Sequence, residues 1–298
     1  MNSFLYKVFI FCLPIFTVIG IIEILLQHAD NNYSYKNKYL KEHKLEIETL
    51  IMGSSYSYYG INPTYIDGHA FNLANPSQSI YLHRNILEEK IDDLPNLATV
   101  VINIAYASLS KKREQETWRK YYYLHYMDVD LDIISKRSIG YYSIFGGIGL
   151  KASLENIWRS YLKNEKREKG WQPLEPLQHK WGKKSAIKQE NNSSDFTENI
   201  LHLNSIIEMC KSKNINVVLL TLPVSKHYTN HINKKKLQGV FDACENLSQK
   251  NTNTFYINHL YHPSFIDEDY FDEHHLSRLG AVKISVILND DLNNLISK

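Results

Sequence analysis

The sequence predicts an α/β fold with three layers: an about five-stranded, mostly parallel sheet covered by helices on both faces. A large insertion follows the third strand, and an N-terminal transmembrane helix precedes the domain. Three observations carry this. Short apolar runs alternate with longer stretches whose apolar residues recur at helical spacing, the rhythm of strand–helix–strand units. That rhythm is interrupted between residues 106 and 195. The chain also opens on an apolar run close to the ~20 residues that cross a bilayer.

The opening run, Val8 to Leu26, holds a single charge, Glu23. Lys7 precedes it, and Tyr33, Tyr35 and Tyr39 follow at positions suited to a membrane interface. A cleaved signal peptide is the alternative to an uncleaved anchor. Gln27-His28-Ala29 lacks the small residue that cleavage requires at its first position, which favours the anchor over residues 1–27. Residues 28–46 are polar and read as a stalk. Their Lys36, Lys38, Lys41 and Lys44 outnumber the positive charges before the run, so the loop-charge rule on its own would keep the large domain, 47–298, cytoplasmic.

Ile47–Met52 is the first predicted strand and Ala70–Leu73 a short second one. The stretch 77–93 places Ile80, Ile86, Leu87 and Ile91 near helical spacing, and Pro95 marks the break before a buried-type strand at Ala98–Ile104. After the insertion, 196–213 carries Ile200, Leu203, Ile206, Ile207 and Cys210 on one helical face. A strand at Ile215–Leu222, a helix at about 233–250, a strand at Thr254–Asn258 and a final helix from Ser277 complete the set. Within the insertion, 106–195, lie Trp118, three consecutive tyrosines from Tyr121, a glycine-rich Phe145–Gly149, a basic stretch Lys163–Lys169, Trp171 and a polar tail to Asp195. The glycine-rich segment is no phosphate loop, because neither Lys-Ser nor Lys-Thr opens a helix after it.

Composition narrows the classes. The 298 residues suffice for one sizeable domain plus attachments. Thirty-four Lys and Arg against 32 Asp and Glu give a formal charge of +2, which offers no general attraction for nucleic acid. Three cysteines, Cys12, Cys210 and Cys244, make neither a disulfide framework nor a zinc spacing. Trp118 and Trp171 are read either as sugar-stacking platforms or as packing residues, and the 21 tyrosines as half-buried packing or as sugar-binding surface.

In an open parallel sheet, functional groups gather beyond the carboxyl ends of the strands. Four segments fall there: Ser54-Ser55 after the first strand, Asn75-Pro76-Ser77-Gln78 after the second, Tyr106-Ala107-Ser108 after the third, and Asp272–His275 after the fifth. A serine hydroxyl becomes an effective nucleophile when a base takes its proton, and histidine held by a carboxylate is such a base. Gly-Ser-Ser after a strand is also an ordinary turn or helix cap, and Ser54 is the alternative nucleophile. Asp267, Asp269, Asp272, His274 and His275 contain metal-ligand chemistry, but adjacent residues rarely converge on one ion; no metal and no cofactor is expected. Lys226, His227 and Tyr228 follow the fourth strand, at the cleft or in a solvated loop.

The blocks Leu50–Ser55 with Tyr59–Pro63, Phe71–Ser79, and Phe271–Leu276 with Gly280-Ala281 resemble those of the SGNH (GDSL-like) hydrolase superfamily, closest to its membrane-anchored, cell-surface-polysaccharide branch. The resemblance implies a flavodoxin-like three-layer fold. It also implies Ser55 as nucleophile, His275 as general base, Asp272 as its orienting acid, and the Ser55 amide as an oxyanion donor. Where the family often has an oxyanion glycine after the second strand, this chain has Ser77. Where the family has Gly-x-Asn-Asp after the third, it has Ala105-Tyr106-Ala107-Ser108. Asn75, Ser77, Gln78 and Tyr228 are the candidates to complete oxyanion or substrate binding.

On this resemblance the expected activity is that of a serine-dependent O-acyl esterase or O-acyltransferase on a cell-envelope or exported polysaccharide. The alternative is a catalytically weak or inactive accessory protein that binds glycan or a membrane-bound O-acyltransferase. The resemblance places the domain outside the cytoplasmic membrane, against the charge count.

Overall fold

In the computed structural model the described residues are 2–112, 117–163, 167–175 and 195–296. In chain order they form α1 (Asn2–Gln27), α2 (Asn32–Glu42), β1 (Thr49–Met52), α3 (Ser55–Gly60), β2 (Ala70–Asn72), α4 (Ile80–Lys90) and β3 (Thr99–Asn103). Next come α5 (Lys120–Met127), α6 (Ile139–Tyr142), α7 (Ile144–Leu162), α8 (Thr197–Ser212), β4 (Asn216–Thr221), α9 (Lys226–Thr229), α10 (Lys234–Lys250), β5 (Thr254–Asn258) and α11 (Arg278–Ile296). All five predicted strands are present, each within two residues of its expected ends.

The strands pair in parallel in the order β2-β1-β3-β4-β5, with Ile51 beside Val101, Val101 beside Val218 and Val218 beside Phe255. This is the flavodoxin-like order, in which the chain leaves β1 and β3 in opposite directions and opens a crevice at their carboxyl ends. Residues of β1, β2 and β3 are buried throughout, which is why their centres read as apolar runs rather than as alternating ones. On one face Ile51, Val101, Val218 and Leu220 pack with Ile284, Leu288 and Leu292 of α11. Side-chain caps start the covering helices: Ser79 accepts from the Leu82 amide, and Asn233 from Lys236.

The chain divides into two compact units, residues 1–38 with 116–166, and residues 39–115 with 167–298. The segment 106–195 is thus shared: its middle belongs with the N-terminal helix, its ends with the sheet. Most of the basic stretch Lys163–Lys169 and of the polar tail to Asp195 lies outside the described residues.

In the first unit, α1 is long and apolar enough to cross a membrane, as an anchor or as a signal sequence. Its one acidic residue is engaged. The Glu23 carboxylate accepts from Ser143 Oγ (2.8 Å) and from the amides of Ile144 (2.9 Å) and Phe145 (3.0 Å), so it caps α7. Tyr126 and Tyr161 donate to the carbonyls of Leu26 and Leu25 at 2.8 and 3.2 Å. The polar stretch read as a stalk is largely helical, and Tyr33 of α2 is buried against the Tyr122 and Tyr123 rings, with centroids 5.0 and 5.1 Å away. The glycine-rich segment opens α7. Gly149, at φ +76°, kinks that helix in a conformation a side chain would strain.

In the second unit, the backbone of Lys169–Trp171 runs against the β2 edge, where the Asn72 amide donates to the Lys169 carbonyl (2.9 Å). Trp171 is buried and its Nε1 donates to the Tyr59 carbonyl (2.7 Å), so it packs rather than offering a sugar platform.

Candidate active site

The site begins where β1 ends. Gly53 sits at φ +153°, and a Cβ there would lie 2.4 Å from Ser57 Oγ; glycine lets the chain turn into α3 without collision. Ser54 is the residue before the helix and Ser55 its first residue, which leaves the Ser55 amide free of an intrahelical acceptor.

The block after β5 is folded as a tight loop over this turn. The Phe271 amide donates to the His275 carbonyl (2.9 Å), and the Ser277 amide to the Asp269 carbonyl (2.8 Å). Asp272 Oδ1 accepts from the amides of His274 (2.9 Å) and His275 (2.8 Å). Its Oδ2 lies 2.8 Å from His275 Nδ1, and His275 Nε2 lies 2.8 Å from Ser55 Oγ. A carboxylate only accepts, so Nδ1 carries the proton. Nε2 is then the acceptor, and the Ser55 hydroxyl donates to it. Burial alone would raise the Asp272 pKa. The hydrogen bond and charge of His275, the neighbouring His274 and the His274 amide outweigh it and hold the carboxyl well below the usual range. The structure thus joins Ser55, His275 and Asp272 into one relay, and Ser54, although beside it, is not the serine that meets the histidine.

A cavity of about 440 Å³ opens beside Ser55, lined among others by Ser54, Ser77, Gln78, His83, Asn103 and Lys111. Two of the four secondary candidates, Ser77 and Gln78, line it. Ser77 adopts φ +63°, the conformation glycine takes without cost, and its carbonyl accepts from Lys111 Nζ at 2.5 Å. The other two do not line it. Asn75 is fully buried and shapes the turn, its Nδ2 donating to Gln78 Oε1 (3.1 Å) and its carbonyl accepting from the Gln78 amide (3.0 Å). Tyr228 lies buried behind His274, ring centroids 5.6 Å apart, where it packs the back of the site instead of facing a substrate. The loop before it has a positioning part: Ser225 donates through both its amide and its hydroxyl to the Glu273 carbonyl (3.1 and 2.8 Å).

Three cavity residues escape the sequence reading. Asn103 ends the otherwise apolar β3, which was a usable signal; its Nδ2 donates to the Leu220 carbonyl (3.1 Å). Lys111 holds the Ser77 turn. His83, one turn into α4, is 2% exposed, and the Gly53 backbone is the polar group beside its ring. Burial pushes it down to about 4, so the ring is neutral at neutral pH. His274 is likewise pushed down to about 4, by burial and by its neighbour His275.

Ligand atoms of Asp272, His274 and His275 lie close enough to share a metal ion, but both ring nitrogens of His275 are already engaged. Asp269 is taken by Lys283 Nζ (2.5 Å) and the Ile266 amide (2.9 Å). In the same unit Glu46 Oε2 sits 3.1 and 3.3 Å from the Nδ1 atoms of His43 and His69, the other three-residue grouping with metal-ligand chemistry among the described residues.

No family model matches the sequence, and no curated protein matches it. Solved structures with a distant likeness include a candidate acylhydrolase from Bacteroides fragilis, at 12% identity and TM-score 0.46 over 87% of this chain and 96% of that one. A GDSL-like lipase from Bacteroides thetaiotaomicron overlaps at 12% identity and TM-score 0.46, over 88% and 99%. A protein from Streptococcus pneumoniae described as a candidate platelet activating factor overlaps at 13% identity and TM-score 0.48, over 93% and 98%. Likeness at this identity and TM-score says nothing of activity, which has to be read from the side chains.

Proposed function

We propose that this protein is a membrane-anchored serine O-acyl esterase or O-acyltransferase of the SGNH kind that acts on a cell-envelope or exported polysaccharide. The observation that carries the reading is the relay of Ser55, His275 and Asp272, with two contacts of 2.8 Å, opening on a cavity of about 440 Å³. That volume lies in the range of small-ligand pockets, suited to one acyl group and the sugar that bears it. His275 takes the Ser55 proton as Oγ attacks the ester carbonyl, and the resulting imidazolium is steadied by Asp272. The negative oxygen is met by the Ser55 amide, with the Ser77 turn as the second wall of the site. His275 then returns the proton to the leaving sugar hydroxyl, which leaves an acyl-serine. Water releases the acyl group as an acid, and a second sugar hydroxyl accepts it as a new ester.

The anchor supports a substrate at the membrane surface. The last turn of α1 is bonded into its own unit through Glu23, Leu25 and Leu26, which favours retention over cleavage. The sequence resemblance supports the polysaccharide and an extracytoplasmic sheet unit. Hydrolysis of p-nitrophenyl acetate by the purified chain, lost in Ser55→Ala, tests the chemistry; release of acid from O-acylated envelope glycan tests the substrate. A reporter fused after Lys298 that stays protease-protected in spheroplasts would overturn the placement.

A further inference from the structure

The N-terminal unit carries a second apolar surface besides α1. Beyond the kink at Gly149, α7 places Leu150, Leu154, Trp158 and Tyr161 within an arc of about 80°. These side chains are 55, 52, 52 and 50% exposed. Ser153 and Asn156, by contrast, are buried. Beyond the kink the helix therefore buries two polar residues and leaves a stripe of large apolar ones outward, beside the exposed Lys151, Glu155 and Arg159. The adjoining α6 adds Ile139 and Tyr142, 73 and 74% exposed.

We infer that the α6–α7 stripe lies in the lipid interface of the same bilayer that α1 crosses, as a second contact with anionic membrane. Three observations choose lipid as the occupant. The stripe is continuous with the apolar surface of α1, since Glu23 caps the start of α7 and the Leu25 carbonyl holds Tyr161 near its end. Both tethers fall in the last turn of α1. That turn ends a helix of 26 residues, about 39 Å long against a hydrocarbon core of about 30 Å, so it sits at the membrane–water boundary. Finally, residues 136–163 carry five basic side chains, Lys136, Arg137, Lys151, Arg159 and Lys163, against one acidic, Glu155. An apolar stripe with a basic border and a Trp and Tyr among its members suits acyl chains beneath anionic headgroups.

The test uses the full chain with Cys12 replaced by Ser, reconstituted in vesicles of phosphatidylcholine and phosphatidylglycerol. A nitrobenzoxadiazole label is placed at Leu154→Cys, Trp158→Cys or, on the far side of the helix, Arg159→Cys. Labels at 154 and 158 lose emission to brominated acyl chains and are shielded from aqueous iodide; the label at 159 behaves in the opposite way. Iodide access at all three positions overturns the proposal. So does shielding at 154 and 158 without quenching by bromolipid, which would mean that a protein partner or a second copy covers the stripe. The proposal rests on α1 as an anchor, tested apart by retention through an alkaline carbonate wash. Loss in the wash overturns both, whereas iodide access in washed vesicles overturns this one alone.

Discussion

His275 meets Ser55 across 220 positions of sequence, Nε2 to Oγ at 2.8 Å, while its other ring nitrogen is fixed by Asp272 three residues away. The long contact joins the first residue of α3 to the loop after β5, and the short one sets the tautomer. Ser55→Ala and His275→Ala should each lower kcat/KM for p-nitrophenyl acetate by roughly 10³-fold or more with an unchanged circular dichroism spectrum. Asp272→Asn should preserve the geometry yet lose about 10²–10⁴-fold, because the amide permits the wrong tautomer. Equal turnover in all three would remove the relay from the chemistry.

Ser77 is held at φ +63° with Lys111 on its carbonyl. Ser77→Gly should retain activity and stabilise the chain by about 1 kcal/mol, since glycine adopts this backbone without strain. Ser77→Val should lose both activity and stability. Thermal melts paired with ester assays distinguish this from a site where the hydroxyl itself is needed, for which the glycine variant would be inactive.

His83 sets a pH dependence. Its folded pKa of about 4 lies below the ordinary imidazole value of 6.5, so the unfolded chain binds the proton more readily between those values. Stability from this group is complete above pH 6.5 and falls as pH drops toward 4, by up to about 1.4 kcal/mol per pH unit. His274 acts in the same direction. The apparent melting temperature of the chain in detergent should therefore fall with pH across this window. In His83→Phe the fall should be shallower; an unchanged slope would show that the ring is not the titrating group.

Glu23 binds Ser143 and two amides at the start of α7. Glu23→Gln keeps the shape but removes the charge, and should cost the N-terminal unit about 1–3 kcal/mol. Limited proteolysis in detergent would report it as faster cutting within residues 138–163. Cutting at the parental rate would mean that the cap is dispensable.

The sheet was legible because Leu50–Met52, Val100–Ile102 and Val217–Leu220 are buried and so write unbroken apolar runs. Ser55 follows β1 closely, but Asp272 and His275 lie in a loop well past Asn258, and it was the resemblance that singled out all three; the geometry then brings them together. Tyr228 and Asn75 also follow strands, and spacing cannot say that one packs behind His274 and the other braces a turn. His83 was hidden for a related reason: a histidine on an amphipathic helix does not announce burial. Least legible was the first unit. Glu23 finds its partner 120 residues on, and the polar run 32–42 becomes helical around Tyr33, whose aromatic neighbours come from α5.

The carboxylate on α1 also fixes a heading. An apolar helix in lipid is free to spin about its own axis, but one whose Glu23 must face the start of α7 has a single azimuth. Replacing α1 with a generic leucine-rich span would keep the protein at the membrane while erasing that orientation. The anchor therefore works as a keyed shaft as well as a tether.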